Sequence, residues 1–218
     1  MNPRNGVMQT GGLAFCAPAP KRRRAMSKVY FYYSAMNAGK STVLLQSSHN
    51  YKERGMRTLL FVPAQDTRSG RGRIESRIGL GSDAISLGAG ENLLERVRGD
   101  HAAAPVACVL VDEAQFLSPE QVRQATDIAD TLRIPVLCYG LRTDFQGRLF
   151  PASAELLAVA DNLIELKTIC HCGRKATMNL RVGADGKAVR VGAQVEIGGN
   201  DRYVAMCRRH FKEAFGPT

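Results

Sequence analysis

The sequence predicts an α/β fold in which a parallel sheet carries helices on both faces, followed by a small C-terminal module. Short apolar strand patterns alternate with helical patterns from Lys28 to Leu166, and such alternation is how βαβ units and parallel sheets read. One of those strands, "VACVLVDE" from Val106 to Glu113, is a nearly continuous apolar run, which suits a sheet covered on both faces. After Leu166 the alternation stops, and cysteines, glycines and short stretches such as "KAVRVGAQVEI" take over.

"KVYFYYS" (Lys28–Ser34) is aromatic, β-branched and bounded by a turn, so it reads as the first strand. "KSTVLLQSSHNYKERG" has helical spacing and a glycine stop at Gly55. "RTLLFVPA" (Arg57–Ala64) is a buried type of strand, and the Arg- and Gly-rich stretch from Gln65 to Leu80 reads as a mobile loop. "ENLLERVRG" reads as a short helix closed by Gly99. "SPEQVRQATDIADTL" carries the clearest start signals: Ser118 to cap, Pro119 at the first helical position and Gln121 to complete a capping box. "IPVLCYGL" (Ile134–Leu141), the helix "SAELLAVA" and the strand "DNLIEL" (Asp161–Leu166) close the series.

A chain of 218 residues with 44% hydrophobic and 23% charged residues has enough apolar content for an ordinary core. No apolar run approaches the roughly 20 residues of a membrane span, and the N-terminus lacks the charged-then-apolar order of a secretory signal; a cytoplasmic protein with no membrane partner is expected. The net charge is +10, but Arg4, Lys21, Arg22, Arg23 and Arg24 contribute half of it with no acid among residues 1–25. That stretch is expected to be a disordered extension, with Lys21–Arg24 a solvated arm or interaction patch and Met26 the start of the protein proper. The remainder is only mildly basic, which argues against a nucleic-acid partner. Cys108 and Cys138 lie inside strand patterns and read as packing thiols; a disulfide framework including Cys16 is not expected.

"YSAMNAGKST" (Tyr33–Thr42) ends like a phosphate-binding loop, G-x-x-x-x-G-K-[ST], but has Ser34 where the first glycine belongs. The alternative is a strand-to-helix turn with a chance Gly-Lys-Ser. The context favours the loop, because it follows a strand and opens a helix, where N–H groups point at phosphate oxygens. Lys40 would reach the β- and γ-phosphates and Ser41 would hold Mg²⁺. "VLVDE" ends an apolar strand with two acids; Asp112 is placed for Mg²⁺ or its water shell, and Glu113 for general-base work. Together these predict a P-loop NTPase-like domain over residues 26–166 that catalyses phosphoryl transfer.

In the module spanning residues 167–218, "CHC" (Cys170–Cys172) and "CRRH" (Cys207–His210) bracket 34 residues. Paired Cys and His at such spacing suggest a tetrahedral Zn²⁺ site made by Cys170, Cys172, Cys207 and His210. The C-x-C half is tighter than the usual spacing, His171 is an alternative ligand, and reduced thiols without a metal are the other reading.

With these motifs in view, the chain from Met26 to its end resembles the type II thymidine kinases of the bacterial and cellular kind. The loop Tyr33–Ser41, "DTR" (Asp66–Arg68), "DEAQF" (Asp112–Phe116), "GLRTDFQG" (Gly140–Gly147) and "GAQVEIGGNDRYVAMCRRHF" (Gly192–Phe211) carry the resemblance in order. In that family serine or glycine opens the loop, while many members have C-x₂-C where this chain has C-x-C. The resemblance implies transfer of the γ-phosphate of ATP to the 5′-hydroxyl of thymidine, with Glu113 as catalytic base. It implies ATP binding by Ser34, Ala35, Met36, Asn37, Ala38, Gly39, Lys40, Ser41, Asp112, Glu113, Ala114 and Gln115, with Asp66 and Arg68 stabilising charge. Met36, Phe116, Phe145 and Tyr203 would enclose the nucleoside, and a lasso of Gln194, Val195, Glu196, Ile197 and Gly198 would meet the base edge through backbone groups. Structural Zn²⁺, Mg²⁺ with ATP, a homotetramer and feedback inhibition by thymidine triphosphate (dTTP) complete the implication. The rival readings are a zinc-ribbon nucleic-acid-binding ATPase and a purely structural zinc protein; the latter leaves Lys40 and "VDE" unexplained.

Overall fold

The structure is a computed structural model and describes residues 26–66, 72–194 and 202–215. Residues 1–25, Arg68 and the lasso positions Val195 to Gly198 lie outside the described residues. In chain order the first elements are β1 (Val29–Ser34), α1 (Lys40–Glu53), β2 (Thr58–Pro63), β3 (Arg73–Glu75), β4 (Gly81–Asp83) and β5 (Ile85–Leu87). Next come α2 (Leu93–Ala103), β6 (Cys108–Val111), α3 (Pro119–Asp127), β7 (Val136–Leu141), α4 (Pro151–Val159) and β8 (Asn162–Glu165). The last are β9 (Thr168–Ile169), β10 (Lys175–Ala176), β11 (Met178–Arg181), β12 (Tyr203–Met206) and α5 (Arg208–Ala214).

The main sheet has the order β5-β2-β6-β7-β1-β8, and every pairing in it is parallel. This is the parallel α/β sheet expected from the alternation of strands and helices. Side chains alternate between the two faces because the strand period is two. Val29, Phe31, Phe61, Val109, Val111 and Cys138 pack in one core with Leu93 and Val97 of α2, Val122 of α3 and Leu156 of α4. Leu60, Val62, Leu110, Leu137 and Tyr139 form the opposite core with Leu44 and Leu45 of α1. Both faces are thereby covered, and the carboxyl ends of the strands, where ligands bind in open α/β sheets, remain at one edge.

The structure departs from the sequence reading in three elements. Gly99 does not close α2, which runs on to Ala103. Arg57 Nη1 donates to the Asp100 and Ala104 carbonyls, at 2.9 Å each, and satisfying those end groups outweighs the low helix propensity of glycine. Within the supposed loop, Arg73–Glu75 forms β3, which pairs antiparallel with β4 just beyond Leu80 and is anchored by Ile74, buried in the α1-side core. The helix opened by Ser118 is α only to Asp127; Ile128–Leu132 winds as a π-helix and stops at Arg133, which has φ 58°.

The start of α3 matches its sequence signals. Ser118 Oγ accepts from Gln121 N at 3.1 Å, and Gln121 Oε1 accepts from Ser118 N at 3.0 Å. Ser118→Ala is expected to lower unfolding stability by about 1 kcal/mol, read as a lower urea midpoint with unchanged slope. An unchanged midpoint would show that this cap contributes nothing.

Candidate active site

β1 ends at Ser34, α1 begins at Lys40, and the loop between them turns through the left-handed region at Asn37 (φ 64°) and Gly39 (φ 77°). Turns of this kind let successive N–H groups face one concavity, a ready anion site. Ser34 is the last residue of an extended strand and is not among the positive-φ residues. The position where the general pattern has glycine therefore needs no glycine here. Lys40 is buried, and its Nζ donates to Ser34 Oγ at 3.2 Å and to the Ala35 carbonyl at 3.4 Å.

Asp112 follows directly after β6 and is also buried. Its Oδ2 accepts from Ser41 Oγ at 2.8 Å and its Oδ1 from Glu113 N at 3.0 Å. Burial, and secondarily the neighbouring Glu113 carboxylate, push the Asp112 carboxyl up to about 7. Glu113 adopts φ 48° and ψ 40°, an uncommon conformation for a residue with a long side chain. Its Oε2 accepts from Gln115 Nε2 at 2.5 Å, while Gln115 Oε1 accepts from Leu141 N at 2.9 Å. Gly140 makes room for this clamp: a Cβ there would lie 2.9 Å from Gln115 Oε1 and 3.1 Å from Gln115 N.

Met36, Asn37, Ala38, Gly39, Lys40, Ser41, Asp66, Asp112 and Glu113 line a common cavity of about 270 Å³. Of the expected ATP-binding residues, Ser34, Ala35, Ala114 and Gln115 are not part of this lining; the last two are buried in the short 3₁₀ turn Ala114–Phe116. The β3–β4 hairpin adds Arg73, Ser76 and Arg77 to the lining. Sequence reasoning missed these; the only signal was the density of arginine in that stretch.

The residues expected around a nucleoside stand apart from this lining, Met36 excepted. Phe116 meets Phe150 edge-on at 6.0 Å. Phe145 is buried beneath the Arg181 guanidinium, whose carbon lies 3.6 Å from the ring centroid. Tyr203 pairs with Arg181 across β11 and β12. Gln194 Nε2 donates to Asp144 Oδ2 at 2.9 Å, so here it is the Gln194 side chain that makes the contact. Asn179 and Arg181, both buried on β11, were invisible in "MNLR", which reads as an ordinary strand.

At the far end of β11 and β12 the ligand atoms of Cys170, Cys172, Cys207 and His210 all lie within 4.8 Å of one another. Cys170 Sγ is 3.3 Å from His210 Nδ1, Cys207 Sγ is 3.6 Å from the same nitrogen, and the Cys172 and Cys207 sulfurs are 3.9 Å apart. Metal–sulfur bonds of about 2.3 Å and metal–nitrogen bonds of about 2.0 Å give tetrahedron edges of roughly 3.5–3.8 Å, so the set fits one tetrahedral ion. The short C-x-C spacing works because Gly173, at φ 78°, closes a tight turn by donating its N–H to the Cys170 carbonyl at 2.8 Å. The Cys172 backbone N–H, followed by His210, draws the Cys170 thiol down to about 5, toward the thiolate a metal requires. His171 stacks on His210 with centroids 4.3 Å apart and lies outside the four-ligand set.

Comparison with known proteins shows the family of this chain. The family model described as thymidine kinase matches residues 27–211. The chain belongs to the thymidine kinase family. It is 65% identical to a thymidine kinase of Novosphingobium aromaticivorans over 191 residues, 88% of this chain and all of that protein. It is 64% identical to one of Rhodopirellula baltica, covering 87% of this chain and 90% of that protein. A thymidine kinase of Agrobacterium fabrum is 62% identical, with 87% and 98% covered. The zinc-ribbon nucleic-acid-binding ATPase is accordingly not favoured.

In this family member the raised Asp112 has a consequence for stability. An acid whose folded pKa lies above its unfolded value holds a proton in the native state that the unfolded chain has already released. Its contribution therefore disfavours folding progressively as pH rises from about 4 to about 7. Metal-free Asp112→Asn is expected to be more stable than the parent at pH 8, with the difference closing by pH 4, in denaturation curves taken across that range. A constant difference would contradict the raised value.

Proposed function

We propose that this thymidine kinase transfers the γ-phosphate of ATP to the 5′-hydroxyl of thymidine, and that the cavity between the phosphate loop and Asp112–Glu113 is where transfer occurs. The observation that carries the reading is the meeting of Lys40, Ser41, Asp112 and Glu113 on one cavity in a chain of this family. Lys40 and the loop amides hold the phosphates. Glu113 takes the proton of the 5′-hydroxyl; its carboxylate is held by Gln115, and its own backbone is left-handed. Asp66 sits at the cavity wall, and with Arg68 it is assigned to charge developing on the transferred group. Met36, Phe116, Phe145 and Tyr203 enclose the nucleoside, and the segment Gln194–Gly198 meets the base edge.

The hydroxyl and carboxylate oxygens of Ser41 and Asp112, 2.8 Å apart, suit a hard divalent cation. Ser41 and Asp112 would hold Mg²⁺, which would supply charge neutralisation for the phosphates. The Cys₃His set suits Zn²⁺, closed by four protein ligands and therefore structural. A homotetramer in the cytoplasm, inhibited by dTTP, completes the proposal and rests on the family resemblance.

A panel of nucleosides incubated with ATP and Mg²⁺ tests the activity directly: thymidine should give the 5′-monophosphate, and a panel without that product would refute the reading. Glu113→Gln should keep ATP affinity while turnover falls on the order of 10²- to 10⁴-fold; near-normal turnover would remove Glu113 from its role. Elemental analysis should find one zinc per chain. Cys207→Ser should weaken thymidine binding more than ATP binding in equilibrium titrations, and a metal-free parent enzyme with normal thymidine affinity would exclude the structural zinc.

A further inference from the structure

Asn179 has no part in the chemistry above, yet it is buried and hydrogen-bonded both to the loop after β1 and to the segment that precedes Phe145. It lies on β11 with 2% of its surface exposed. Its Oδ1 accepts from Met36 N, in the phosphate loop, at 2.7 Å. Its Nδ2 donates to the carbonyl of Thr143, two residues before Phe145, at 3.0 Å. A second tie from the same module, Thr168 Oγ1 to the Asn37 carbonyl, is exposed and long at 3.4 Å, hence weaker.

The partners fix the orientation of this amide. Met36 N can only donate and the Thr143 carbonyl can only accept, so a flipped amide would face donor with donor and acceptor with acceptor. A carboxylate lacks the donor and a leucine lacks both groups. Asn179 thus holds two segments that the chain places far apart, one carrying the phosphate loop and one carrying the aromatic that flanks the nucleoside. Phosphoryl transfer needs its reacting atoms about 3–3.5 Å apart and aligned, and a misplacement of about 1 Å costs roughly 10²-fold.

We infer that Asn179 is a positioning residue for the transfer, setting the separation of the phosphate loop from the nucleoside-flanking segment. The inference rests on the kinase reading of the site. Asn179 joins the two halves of the site through one bond to each, so its loss is expected to act on the alignment of two bound substrates more than on the binding of either. β11 pairs with β12, which leads into Cys207 of the Cys/His cluster.

The test is steady-state kinetics of the full-length parent, Asn179→Leu and Asn179→Ser with thymidine and ATP, alongside thermal melts and hydrogen exchange at the Met36 amide. Asn179→Leu should lower kcat roughly 10- to 100-fold with both KM values within about threefold of the parent. The Met36 amide should lose protection. Asn179→Ser leaves space for a bridging water and should fall between the two; it also decides the matter if the leucine variant fails to fold. Parent-like kcat with only a lower melting temperature would reduce Asn179 to a structural residue, and a raised KM for one substrate at unchanged kcat would make it a binding residue; either overturns the inference. Failure of the parent itself to phosphorylate thymidine would instead sink the kinase reading.

Discussion

Ser41 Oγ donates to Asp112 Oδ2 at 2.8 Å, joining the first turn of α1 to the end of β6. In the sheet β7 lies between β6 and β1, so this bond closes the crevice over the carboxyl end of an intervening strand. Asp112 is buried and its carboxyl is pushed up to about 7; a buried carboxylate is tolerated only where donors and cations meet it. Ser41, the Glu113 N–H and nearby Lys40 are those groups. The same arrangement that makes Asp112 tolerable in the fold makes it ready for a divalent cation.

Glu113 is the second consequence of that strand end. Adjacent acids on a continuing strand would point to opposite faces; here the chain turns left-handed at φ 48° and sends the second carboxylate to its own partner, Gln115. Conformations of this kind persist where the surroundings over-determine them. The surroundings are the Gln115–Leu141 bond and the space left at Gly140. Two adjacent acids are thus given separate partners, one paired with the first turn of α1, the other held by Gln115, which bonds Leu141 of β7.

The parts of this site that were legible in the sequence are those whose physics is local. Lys40 and Ser41 follow a glycine at a strand-to-helix turn; Asp112 and Glu113 end an apolar run; Ser118 and Gln121 sit at capping spacing. The Cys/His cluster was legible through spacing, and the tight C-x-C pair joins it through the turn at Gly173. What escaped depends on distant partners. Gly99 looks like a helix stop until Arg57 is brought against the Asp100 and Ala104 carbonyls. Ile74 looks like a loop residue until α1 covers it. Asn179 is one polar letter in a strand of "MNLR", and its importance comes from Met36 and Thr143, whose proximity only the tertiary fold creates.

In the proposed mechanism one cavity brings Glu113, as base, and the phosphate loop to the same reacting oxygen. A crystal structure with a bisubstrate analogue, thymidine joined through its 5′-oxygen to a phosphate chain ending in adenosine, measures this directly. The account predicts the phosphate chain in the loop between Asn37 and Ser41, and a Glu113 carboxylate oxygen at hydrogen-bond distance, about 2.6–3.2 Å, from the thymidine 5′-oxygen. A phosphate chain seated in the loop with the 5′-oxygen far from Glu113, or contacted by a different acid, would contradict it.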